Sequence, residues 1–167
     1  MLRACMIGSL WIAFSSIALG QEANLPRGLG YVFAAPGFAA GEGRPTATLQ
    51  IGVGGELRLF EGLAVGAELG GVGAIADSSD GLGIFSLNGY YHFSNATRRE
   101  RLLPFITAGY TGAGTREWGE RWFNLGGGVD YWPKNRLGLR VELRDQIDAN
   151  HSTPLHFAGV RVGLIWH

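Results

Sequence analysis

The chain has 167 residues, 28 of them glycine, only 17% charged residues and a formal net charge of zero. That length suits one domain. The absence of any basic tract or acidic tail excludes a nucleic-acid-binding protein of the usual electrostatic kind.

Residues 1–20 read as a secretory signal peptide: Arg3 is the positive n-region, "CMIGSLWIAF" a short apolar core, and "ALG" (Ala18 to Gly20) the small residues before a cut ahead of Gln21. The apolar run is too short for a spanning helix, and no cysteine stands at the cleavage point for lipoprotein processing. Residues 21–167 are then the mature domain, with 13 basic and 14 acidic side chains. Its one possible thiol, Cys5, leaves with the signal. The exported protein is expected to fold without disulfides.

No later stretch reads as a spanning helix. Eight alternating runs predict β-strands near 28–37, 46–60, 63–75, 82–93, 102–112, 121–132, 137–146 and 156–166. "TLQIGVGGELRLF" (48–60) puts Leu49, Ile51, Val53, Leu57 and Leu59 on one face and Gln50, Gly52, Gly54, Glu56 and Arg58 on the other. In the sixth run Phe123, Leu125, Val129 and Tyr131 oppose Asn124, Gly126, Gly128 and Asp130. "GLRVELRD" (138–145) sets Leu139, Val141 and Leu143 against Arg140, Glu142 and Arg144, and the last run sets Val160, Val162, Leu164 and Trp166 against Arg161. The links "EG" (61–62) and "PKNR" (133–136) are tight, whereas 37–45, 76–83, 112–120 and 146–156 are longer; the link around "SNATRRERL" is longish on the otherwise short side. Short turns at one end and long loops at the other mark an up-and-down outer-membrane barrel.

Alternation alone does not say which face is inside. Three features put the polar face inward. Its many glycines leave room in the narrow interior of an eight-stranded barrel, whereas they would only weaken a wet face. Its cations are arginine, with Lys134 the sole lysine and in a turn; the forked guanidinium suits enclosed ion pairs. Aromatic residues gather at strand ends: Phe60, Tyr91, Phe93, Tyr131 and Trp166 at one end, and Trp118, Trp122 and Phe123 at the other. Such side chains favour the membrane–water boundary. A strand edge left open in lipid costs several kcal/mol per unpaired group, so the expected fold is a closed eight-stranded antiparallel up-and-down transmembrane β-barrel, with termini in the periplasm and long loops outside. A soluble lipocalin-type barrel would put the apolar faces inside and leave the aromatic ends unexplained.

These strands and the C-terminal "VRVGLIW" resemble the small outer-membrane β-barrel superfamily that includes the OmpA membrane domain. The resemblance implies a bacterial outer membrane, contact with its lipid and lipopolysaccharide, and recognition of the C-terminal strand by the barrel-assembly machinery. Members typically end in an aromatic residue; here His167 follows Trp166.

The polar faces carry Glu56, Arg58, Glu68, Asp130, Arg140, Glu142, Arg144 and Arg161. These are expected to form a structural salt-bridged lumen, the alternative being a narrow gated pore. "HFSNA" (92–96) resembles the His-x-Ser-Asn motif of the outer-membrane lipid A deacylases, in which His and Ser form a hydrolytic pair. Here it sits at the periplasmic end of the fourth run with His92 on the inward face beside Asn88, the wrong end and the wrong face for a lipid substrate. No catalytic residue is therefore assigned. His151 and His156 flank a loop with Asp148 and read as solvated, not as a metal site; "NAT" (95–97) matches a glycosylation sequon without meaning in a bacterial host; the "GVGG" and "LGGG" runs lack the setting of a phosphate loop. No cofactor or metal is expected. The sequence predicts a non-enzymatic envelope protein of structural or surface-interaction role, with a lipid A-modifying hydrolase on the same barrel as the alternative.

Overall fold

The structure is a computed structural model that describes residues 27–41, 44–76, 81–93, 101–114, 118–133, 136–148 and 154–167. The proposed signal peptide with Cys5, the Ser94 to Thr97 stretch, Lys134 and His151 lie outside the described residues.

Eight strands, β1 (Gly28–Ala40), β2 (Thr46–Phe60), β3 (Leu63–Ala74), β4 (Leu82–His92), β5 (Leu102–Gly114), β6 (Trp118–Tyr131), β7 (Leu137–Asp148) and β8 (Leu155–Trp166), follow in chain order. Each pairs antiparallel with its sequence neighbours, and β8 closes on β1. The links β2–β3 (two residues), β4–β5 (nine) and β6–β7 (five) lie at one end, the end expected to carry short turns, together with the Gly28 and Trp166 ends of β1 and β8. The β2–β3 turn is tight because Gly62 adopts a positive φ of 72°, which a side chain would disfavour.

At the opposite end the strands outrun the sequence expectation. β1 extends to Ala40, β5 to Gly114 and β7 to Asp148, while β6 begins at Trp118. Parts of the segments expected as loops are therefore strand, and the links that remain there have five (β1–β2), seven (β3–β4), three (β5–β6) and six (β7–β8) residues, so the expected contrast of long loops with short turns is not reproduced. The added residues, 38–40, 113–114, 118–120 and 147–148, carry no strong alternation, and cross-strand pairing supplies the order that local propensity does not.

The faces divide as alternation requires. Leu49, Ile51 and Val53 of β2, Leu139, Val141 and Leu143 of β7, and Val160, Val162 and Leu164 of β8 face outward. The interior holds the polar-face charges, Arg58 only half-buried, but it is not purely polar. Tyr31, Phe33, Ala35 and Ile165 form one buried apolar cluster, Ala64, Tyr90 and Phe105 a second, and Val72, Ile84, Ala113 and Trp122 a third.

Inward glycines make room for these rings as well as for the charges. A Cβ on Gly54 would lie 2.5–2.7 Å from the Tyr31 ring, and one on Gly52 would lie 2.7 Å from Phe33. One on Gly126 would lie 2.9 Å from a Glu142 carboxylate oxygen. With eight strands the lumen is only wide enough for side chains to fill, so each bulky group faces a position that has none.

Candidate functional site in the barrel lumen

Towards the short-turn end, four strands converge on one ion cluster. Arg140 of β7 sits opposite Asp130 of β6 in the sheet register. Its Nε and Nη2 donate to the two Asp130 oxygens at 2.7 and 2.8 Å, the forked geometry that guanidinium and carboxylate share. Its Nη1 donates to Glu56 of β2. His92 of β4 places Nε2 3.0 Å from the other Glu56 oxygen. The Arg140 guanidinium also lies over the Phe105 ring, 4.4 Å from its centre.

Around the middle of the barrel, Glu68 of β3 is the hub. Arg144 Nη1 and Arg161 Nη1 each donate to both of its oxygens at 2.9 and 3.0 Å. The hydroxyls of Tyr31 and Tyr90 donate to Oε1 at 2.9 and 3.0 Å. Arg144 Nε donates to Glu142 Oε1 at 2.6 Å. Arg161 stacks over Phe33, 4.0 Å from the ring centre. A charge can be buried only where a partner and hydrogen bonds offset its lost hydration; Glu68 meets that condition with four donors.

Towards the opposite end the lumen turns apolar. Trp122 stacks on Phe157 with ring centres 4.6 Å apart, in a cluster with Val72 and Ile84. Just beneath, Gln50, Gln146, Arg144 and Arg161 line a cavity of about 20 Å³. The Nε2 atoms of both glutamines and the Nε and Nη2 of Arg161 have no acceptor among the described residues. A cavity of that size holds about one water.

Glu56, Glu68, Asp130, Arg140, Glu142, Arg144 and Arg161 are all buried and joined in these two clusters. Arg58 is the exception. It is half-buried near the short-turn end, and its Nε has no hydrogen-bond partner among the described residues.

Of the aromatics expected at the boundaries, Phe60, Tyr91, Phe93, Phe123, Tyr131 and Trp166 face outward. Trp122 does not: it is 1% exposed and lies inside the barrel. This corrects the expectation. Trp122 shares the strand parity of Asn124 and Asp130, and parity prevails over its position near a strand end. Tyr110 takes the outward place at this height, edge-on to Phe123 at 5.3 Å.

His92 is buried inside, bonded to Glu56. Its ring is engaged in the lumen's ion network, away from the outer face. His156, expected to flank the 146–156 loop at the start of the eighth run, lies on β8, and its Nδ1 is 2.7 Å from Oδ2 of Asp145 on the outer face. Parity puts Asp145 on the face of Leu143, a signal already present in "GLRVELRD".

No family model matches the chain, and no curated protein matches it. Solved structures do. The chain is similar to the crystal structure of Neisserial surface protein A, at 13% identity, with a TM-score of 0.69 over 83% of this chain and 96% of that one. It is similar to the N-terminal β-barrel domain of Pseudomonas aeruginosa OprF, at 16% identity and a TM-score of 0.58 over 84% and 98%. The attachment invasion locus protein Ail of Yersinia pestis matches at 9% identity and a TM-score of 0.51 over 83% and 97%. Likeness at such identities concerns fold and not activity. By its closed eight-strand topology and these matches, the chain has the fold of the small eight-stranded outer-membrane β-barrels.

Proposed function

We propose that the protein is a non-enzymatic barrel of the bacterial outer membrane, exported by a signal peptide, that supports the envelope and presents its β1–β2, β3–β4, β5–β6 and β7–β8 loops outside the cell. The observation that carries this reading is the filled lumen. Side chains from β2, β3, β4, β6, β7 and β8 meet across it in two ion clusters, and the Trp122–Phe157 stack lies above them. An interior so occupied is a core, and its groups are engaged in holding strands to one another.

The partners are then the lipid and lipopolysaccharide that meet the leucine faces, and the assembly machinery that would read β8 with Trp166. A narrow pore is the second reading, favoured by the donors of Gln50, Gln146 and Arg161 that lack an acceptor among the described residues around their small cavity. Planar-bilayer recording separates the two. The filled core predicts no conductance above the lipid background; stable unitary steps from a protein whose gel mobility shifts on boiling would establish the pore instead.

A further inference from the structure

The outer face carries an anomaly. Among the described strand residues, outward positions from the aromatic rows inward are apolar or glycine, with the exceptions of Asp145 and His156. Asp145 lies in the cross-strand row Leu125–Asp145–Ala158–Phe38. The next row towards the β7–β8 loop contains Phe123, Ile147 and His156. Two residues along a strand span about 7 Å, so the carboxylate sits just inside the aromatic row. A charge there is disfavoured by the surrounding hydrocarbon. His156 answers it with Nδ1 at 2.7 Å, both side chains remaining part-exposed at 44% and 34%.

Beside this pair the barrel wall is hollowed. Pro36, Phe38, Leu125, Leu143, Ala158 and Val160 surround an open groove of about 720 Å³, with Asp145 on its margin. The hollow exists because Ala158 is small between Asp145 and Phe38, and Gly37 and Gly159 pair beneath it. In a membrane such a groove is filled by hydrocarbon, since water there would face apolar walls. Hydrocarbon gains little from leaving one apolar surface for another, so selection among lipids has to come from a polar group. The Asp145 carboxylate holds Nδ1, which leaves Nε2 of His156 without a partner among the described residues. That nitrogen stands at the level where acyl chains join their headgroups.

We propose that this face is a lipid-binding site that seats one acyl chain of lipid A, with His156 Nε2 accepting a hydrogen bond from the amide N–H that links the chain to its sugar. The assignment to lipid A over a glycerophospholipid rests on the reading above that the β1–β2, β3–β4, β5–β6 and β7–β8 loops face outward, because the groove lies at that end and hence in the outer leaflet.

The test is native mass spectrometry of the full-length barrel folded in detergent, titrated with lipid A and separately with phosphatidylglycerol. Gel mobility before and after boiling reports folding for every sample. Lipid A is expected to bind in preference to phosphatidylglycerol. His156→Leu should lower lipid A retention about tenfold, the loss expected for one hydrogen bond to an ionisable group. Ala158→Trp should abolish retention by filling the groove. Both variants should keep the heat-induced shift. Equal retention of the two lipids, or retention unaffected by both substitutions, would overturn the site; so would a dimer in the spectra that Ala158→Trp dissociates. A wild-type protein with no heat-induced shift would strike instead at the barrel reading itself.

Discussion

Replacing Glu68 with alanine is expected to destabilise the barrel by about 3–5 kcal/mol, the usual cost of removing one partner from a buried ion pair. Glu68 accepts from Arg144, Arg161, Tyr31 and Tyr90. Their fates differ. Arg144 retains Glu142 through its Nε, and the two tyrosine hydroxyls still lie 3.0 Å from each other. Arg161 keeps its stacking on Phe33, with Glu142 opposite it in the sheet register. Among the described residues one cation is then left without a hydrogen-bonded carboxylate, which places the expectation at the lower end, about 3 kcal/mol, or roughly two orders of magnitude in the folding equilibrium. The assay is urea unfolding of the barrel in lipid vesicles, followed by tryptophan fluorescence and by gel mobility without boiling. The double variant E68A/R161M should regain most of the loss, because removing both charges leaves neither unpaired. A Glu68→Ala protein within about 0.5 kcal/mol of the parent, the range of neutral surface changes, would refute the reasoning. So would a double variant no more stable than the single one.

Further outcomes follow from the same geometry. Gly54→Val should destabilise by about 1–3 kcal/mol, because its Cβ would run into the Tyr31 ring; a variant with unchanged unfolding midpoint would count against that packing. Val141→Arg, an outward position midway along β7, should cost about 2–4 kcal/mol in vesicles, and an unchanged stability would contradict a lipid-facing surface. His92→Ala should weaken the fold by about 1–3 kcal/mol through the loss of its bond to Glu56. The same substitution should leave lipid A acylation in cells unaltered by mass spectrometry; altered acylation would revive the hydrolase reading.

What the sequence by itself determined was the strand set and the side each residue takes. A period of two has only two phases, so once the polar phase is inward every side chain on a regular strand is assigned. Phase prevails over chemistry where the two conflict: Trp122 has the chemistry of the membrane boundary, but its phase shares the side of Asn124 and it lies inside, and the same phase puts Asp145 on the side of Leu143. Only the tertiary structure decided who pairs with whom. Glu68 and Arg161 stand 93 residues apart, and their meeting depends on the stagger of eight strands and on the closure of β8 against β1. Alternation is a property of one strand, whereas pairing across a lumen is a property of the closed ring. The hollow beside Ala158 has the same origin, since it arises from small residues on β1 and β8 that only pairing makes neighbours.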